Sequence, residues 1–161
     1  MPVVENLDDP FHLARVFQDA HQRVFQYVSR FGLRPMRLNL HATQEQVDHA
    51  GTNDSFQEIA VRLSGEGFAD LQVDLAVGII AHEYGHQHYR SLHQRVRGTP
   101  NQTEELACDY FAGQTIGVLR LDVTPFIGFL QAHRPTFGSQ QYPPVQDSIN
   151  AVISGASNAL G

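Results

Sequence analysis

Two histidines four residues apart, His82 and His86, stand in His82-Glu83-Tyr84-Gly85-His86. On a helix such residues sit one turn above each other and face the same way. Their imidazoles could therefore grip one metal ion. Glu83 is turned about 100° from His82, so it can stand beside the metal without binding it. A zinc hydrolase needs this arrangement: two imidazoles hold the ion and a carboxylate handles the proton of a water. The chain carries nine histidines in 161 residues. That abundance makes a chance motif realistic, so the surrounding residues must support it.

Catalytic zinc usually has three protein ligands and one open position. The region after the motif offers Glu104, Glu105 and Asp109. Glu105 and Asp109 are four apart and share a helix face. Glu105 is the expected third ligand, with Glu104 as the fallback. Asp109 is expected to accept the other ring N–H of His82 or His86, which would fix its tautomer. The residues from Gln87 to Glu104 leave room for a helix to end, turn and return antiparallel. Cys108 lies one residue off the Glu105 face and reads as a small buried hydrophobe. His88 and His93 fall outside the gripping face. Arg90, Arg95 and Arg97 read as a solvated helix end.

The paired motifs, His82-Glu83-Tyr84-Gly85-His86 and Glu105-Leu106-Ala107-Cys108-Asp109, resemble those of the gluzincin zinc metallopeptidases. The resemblance implies His82, His86 and Glu105 as zinc ligands, Glu83 as general base and Asp109 as the partner of His82. Within that group the chain is most similar to HtpX-like peptidases, over roughly residues 36–150. Glu58-Ile59-Ala60-Val61 resembles their substrate-binding edge strand, which implies that Ile59, Ala60 and Val61 pair with an extended peptide. Asp74 to Ala81 resembles their approach to the motif. Tyr142-Pro143-Pro144-Val145-Gln146-Asp147-Ser148-Ile149 resembles their late His-Pro-x-x-x-x-Arg-Ile element, but Tyr142 replaces the His and Ser148 the Arg. Their membrane helices are absent. Soluble peptidases with a Glu-Leu-x-Ala-Asp second motif are similar too.

The implied chemistry is peptide hydrolysis. Zinc lowers the pKa of its water toward about 7, Glu83 takes the proton, and the leaving amine receives it. Tyr142 is the candidate donor to the oxyanion, with Tyr110 and His133 as alternatives. The rival expectation is a catalytically silent zinc-binding module with a regulatory or protein-interaction role. The intact Glu83 favours the enzyme.

The elements that must position these groups follow from periodicity. Apolar residues at helical spacing from Phe11 to Val28, after Pro10, predict a first helix to about Phe31, stopped by Gly32. Residues 1–8 read as a loose arm, with Asp8 or Asp9 as cap. Alternation predicts strands over 36–42 and 56–63. Residues 43–55 are polar, with Gly51 to Asp54 as turn chemistry, and Ser64 to Gly67 as a loop. Residues 68–92 should form the central helix, buried on most sides. Thr103 is the expected N-cap of a helix over 104–121. Thr124 and Pro125 start another that ends near His133. A last helix runs from Pro143 or Pro144 to about Leu160, with Val145, Ile149, Val152, Ile153 and Ala156 as its inner face.

The fold class expected is α+β: one mainly helical zincin-like domain over 1–161, with a small sheet beside the zinc helix. A net charge of −6 gives no electrostatic case for nucleic acid. No apolar run is long enough for a membrane helix. One cysteine and no signal-peptide pattern fit a cytoplasmic location. The expected partner is a peptide or protein substrate. The sequence fixes neither specificity nor oligomeric state.

Overall fold

The computed structural model describes residues 10–42, 49–52, 57–63, 72–93 and 98–159. The arm at 1–8 with its capping aspartates, the turn at Asn53-Asp54, the loop at 64–67 and the stretch 68–71 lie outside the described residues. So do Arg95 and Arg97.

The described chain is mainly helical with one small sheet, an α+β arrangement. Helix α1 (Pro10–Val28) runs into a short 3-10 turn, Ser29–Phe31, closed by Gly32 in the left-handed region at φ 75°. Its inner face, Val16, Phe17, Ala20, Val24 and Val28, keeps helical spacing and is buried. Strands β1 (Arg37–Ala42), β2 (His49–Thr52) and β3 (Glu58–Leu63) form the sheet. Helices α2 (Val73–Leu92), α3 (Gln102–Val118), α4 (Thr124–His133) and α5 (Val145–Ala159) follow.

The sheet order is β1-β3-β2. Strand β3 pairs parallel with β1, Leu38 opposite Ile59, and antiparallel with β2, Gly51 opposite Ala60. This corrects the expectation for Ile59, Ala60 and Val61. They lie on the central strand, hydrogen-bonded on both sides, so no peptide can add to its edges. Ile59 and Val61 are buried in the core. Strand β2 has little local signal, because His49-Ala50-Gly51-Thr52 holds a single β-branched residue, Thr52, and a glycine.

Helix α2 is the centre of the molecule. Every residue from Val73 to Gln87 is buried, as expected of a helix apolar on most sides. Helix α1 packs on one side of it, α3 on another, and α4 and β2 also touch it. Two polar side chains of α2 tie down the entry to β1. The Tyr84 hydroxyl accepts from the Met36 N–H at 2.8 Å. Gln87 exchanges hydrogen bonds with the backbone of Arg34 at 2.7 and 3.1 Å.

Helix α3 is clamped between α2 and α5. Its cap is Asn101, whose side chain accepts from Glu104 N–H at 2.9 Å, and not Thr103. Its contact with α5 depends on missing side chains. A Cβ on Gly155 would strike the Tyr110 carbonyl, and one on Gly113 the Val152 carbonyl. On α5, Ile149 and Val152 are buried, but Ile153 is 45% exposed and does not belong to the inner face. No helix among the described residues is long and apolar enough to cross a membrane.

Candidate metal centre

The site lies between the middle of α2 and the first two turns of α3. Gly85 brings the helices together: a Cβ there would lie 3.0 Å from the Cys108 Cα. At that spacing His82 and His86 on α2 face Glu104, Glu105 and Asp109 on α3, and all five are buried.

The two imidazoles turn their Nε2 atoms to Glu105. His82 Nε2 is 3.0 Å from Glu105 Oε2, and His86 Nε2 is 3.5 Å from Glu105 Oε1. Two donors bound to one tetrahedral ion at about 2.0–2.3 Å lie roughly 3.3–3.8 Å apart. Glu105 thus stands at ligand-set spacing from each imidazole, slightly contracted on the His82 side.

The Nδ1 atoms point away, and each has a carboxylate behind it. His82 Nδ1 lies 3.0 Å from Asp109 Oδ1, at ion-pair distance though off the line of a hydrogen bond. His86 Nδ1 lies 2.6 Å from Glu104 Oε2. Glu104 is therefore behind His86 and is not the alternative ligand. Each rear carboxylate carries an arginine. Arg90 Nε donates to Glu104 Oε1 at 2.9 Å, so Arg90 is part of the site and not of a solvated helix end. Arg134, at the end of α4, forks onto Asp109 at 3.2 and 3.4 Å.

These contacts set the electrostatics. Burial alone would push the His82 imidazole down, but the Asp109 and Glu105 carboxylates override it and raise it to about 10. Burial would raise Glu105, yet His82, then His86 and Arg134, hold it at about 2. Glu104 is likewise penalised by burial and held low by His86 and Arg90. Four carboxylates, Glu83, Glu104, Glu105 and Asp109, gather here against Arg90 and Arg134. With the His82 imidazolium counted beside the two arginines, the acids outnumber the cations by one among these described groups, an excess of negative charge that a bound cation would relieve. Buried charges without partners are costly.

Glu83 sits one position from the gripping face and is also buried. Its Oε2 has no hydrogen-bond partner among the described residues. An acceptor kept from water without a partner is the second sign that the site awaits another group.

Cys108 adds a donor. His82, His86 and Cys108 form a buried group, their ligand atoms within 4.8 Å of one another, that could hold a metal ion. Burial, then Glu105 and the other nearby acids, raises the Cys108 thiol well above its ordinary value. That favours the thiol, whereas metals bind the thiolate. Glu105, held ionised beside both imidazoles, is the competing third donor.

Tyr142, half-buried, stacks on the Arg134 guanidinium at 4.5 Å from ring centroid to Cζ. Its phenol is raised by burial and by Glu105, with Glu83 and Asp109 adding to the rise and Arg134 opposing it. It thus belongs to the same electrostatic site. The two alternatives do not. The Tyr110 hydroxyl bonds Asn158 on α5 at 2.9 Å, and His133 is exposed against Phe129. His88 packs with Phe31 and Phe111, and His93 with Tyr89, away from the centre.

Sequence reasoning missed Arg134 and the place of Glu104. Glu104 had a legible signal, an acid beside Glu105 in the first turn of a helix. Arg134 had none, since nothing local says that the end of α4 reaches α3. Comparison with family models, curated proteins and solved structures finds no match to this chain.

Proposed function

We propose that this chain is a zinc-dependent endopeptidase of gluzincin type, acting in the cytoplasm on peptide or protein substrates. The observation that carries this reading is the approach of Glu105 to both imidazoles, Oε2 3.0 Å from His82 Nε2 and Oε1 3.5 Å from His86 Nε2. The unpartnered Glu83 Oε2 beside them supports it.

His82, His86 and Glu105 would hold the ion, with Asp109 and Glu104 fixing the two imidazoles from behind. Bound there, zinc supplies a Lewis acid that acidifies water and polarises a carbonyl. Glu83 takes a proton from the attacking water and delivers it to the leaving amine. Tyr142, kept protonated, donates to the oxygen on which negative charge develops. The extended substrate lies along β2, an edge strand of the sheet that packs against α2.

A second reading has one observation in its favour. Cys108 stands close enough to both imidazoles to act as a further protein donor. A site closed by four protein ligands is structural and not catalytic, and the chain would then be a silent zinc-binding module.

Cleavage of a generic unfolded protein by the wild type and by Glu83→Gln separates the two. The peptidase reading expects cleavage by the wild type and a loss of about 10²- to 10⁴-fold in the variant, with zinc retained. Zinc-bound wild type as inactive as the variant would support the silent module.

A further inference from the structure

Arg134 belongs to no motif, and nothing in the reaction above uses it. It is nonetheless almost fully buried, with its side chain 10% exposed. A buried guanidinium is kept only where its donors are matched.

Its contacts are directed at the metal centre. Nη2 lies 3.2 Å from Asp109 Oδ1 and 3.6 Å from Glu105 Oε2. These are the two oxygens that flank the His82 ring, one at Nδ1 and one at Nε2, each at 3.0 Å. Nη1 completes the fork on Asp109 at 3.4 Å and reaches Ser148 Oγ on α5 at 3.3 Å. The Tyr142 ring covers one face of the guanidinium. Ser148 is the position at which the late element lacks the arginine of the peptidases it resembles. The guanidinium from the end of α4 lies against that serine.

We propose that Arg134 is a positioning residue of the metal centre. It holds Asp109 and Glu105 on opposite edges of His82 and seats Tyr142 over the site. The proposal rests on the reading of His82, His86 and Glu105 as metal ligands. Arg134 is suited to this role because a planar fork can grip both oxygens of Asp109 while one nitrogen also faces Glu105. Without it, the two buried carboxylates that flank the His82 ring would lose the guanidinium that bridges them. A lysine would restore the charge but not the fork.

The test is cobalt binding by the full chain, followed through the visible d–d absorption of Co²⁺. Wild type, Arg134→Gln and Arg134→Lys are titrated, and far-UV circular dichroism checks the fold. The expected result is binding about 10- to 100-fold weaker in Arg134→Gln, with a shifted band that reports altered coordination. Arg134→Lys should fall between the two, also with a shifted band. If Arg134→Gln does not fold, Arg134→Lys decides alone. Wild-type affinity and an unshifted band in a folded variant would overturn the proposal and leave the metal centre standing. Absence of any cobalt band in the folded wild type would overturn both.

Discussion

Glu104 Oε2 lies 2.6 Å from His86 Nδ1, on the side of the ring that faces away from Glu105. Asp109 takes the matching place behind His82. Each imidazole is thus held from the rear by its own carboxylate, and each carboxylate by its own arginine. Glu104→Gln keeps the shape and removes the charge. It is expected to weaken zinc binding about 10- to 100-fold while the fold survives. Competition against a chromophoric chelator measures this. Unchanged affinity would show that Glu104 serves only the first turn of α3.

Gly85 sets how closely α2 and α3 approach. A Cβ there meets the Cys108 backbone at 3.0 Å and its Cβ at 3.2 Å, so α3 must retreat. Gly85→Ala is expected to destabilise by about 1–3 kcal/mol and to weaken metal binding as Glu105 moves off. Gly128, on α4, is the control, since an added Cβ there meets nothing within 4 Å. Gly128→Ala is expected to stabilise by about 0.5–1 kcal/mol, the ordinary helix-interior gain. Urea unfolding of both variants checks the contrast.

Much of this site was legible because helices write their faces into the sequence. The spacing of His82, His86, Glu105 and Asp109 fixes which side each occupies, and α2 and α3 bring those sides together. Strand order is not written locally. Residues 58–63 read correctly as a strand, yet only long-range pairing makes β3 central and β2 an edge. Arg134 was invisible for the same reason, because its partners lie on α3 and α5. The close packing of α3 on α5 did leave a trace, Gly113 and Gly117 four apart on one face. Ile153 misled because apolar character was taken as burial, though it sits beside Val152 and turns outward.

His21 links α1 to the motif helix, its Nε2 2.8 Å from the Tyr84 hydroxyl. Burial lowers its pKa below 6.5, with the Met36 backbone opposing. The folded state therefore resists protonation that the unfolded chain accepts. Stability from this residue is complete above pH 6.5 and is lost as pH falls from there toward the folded value. Chemical unfolding of His21→Gln and wild type at about pH 7.5 and about pH 5, above and below the ordinary histidine value, tests it. The wild type is expected to lose more stability on acidification than the variant. Parallel losses would remove His21 from the acid response.

Tyr142 is raised by burial and by Glu105, so its phenol stays a donor at neutral pH. Tyr142→Phe is expected to lower kcat about 10²-fold and leave zinc content unchanged. A variant with wild-type kcat would make Tyr142 only a lid on Arg134.

The most direct measurement is the metal content of the folded chain, purified without chelator, for wild type and His86→Ala. About one zinc per wild-type chain is expected, and almost none in the variant. Folded wild type free of divalent metal even after incubation with zinc, or equal zinc in both proteins, would contradict it.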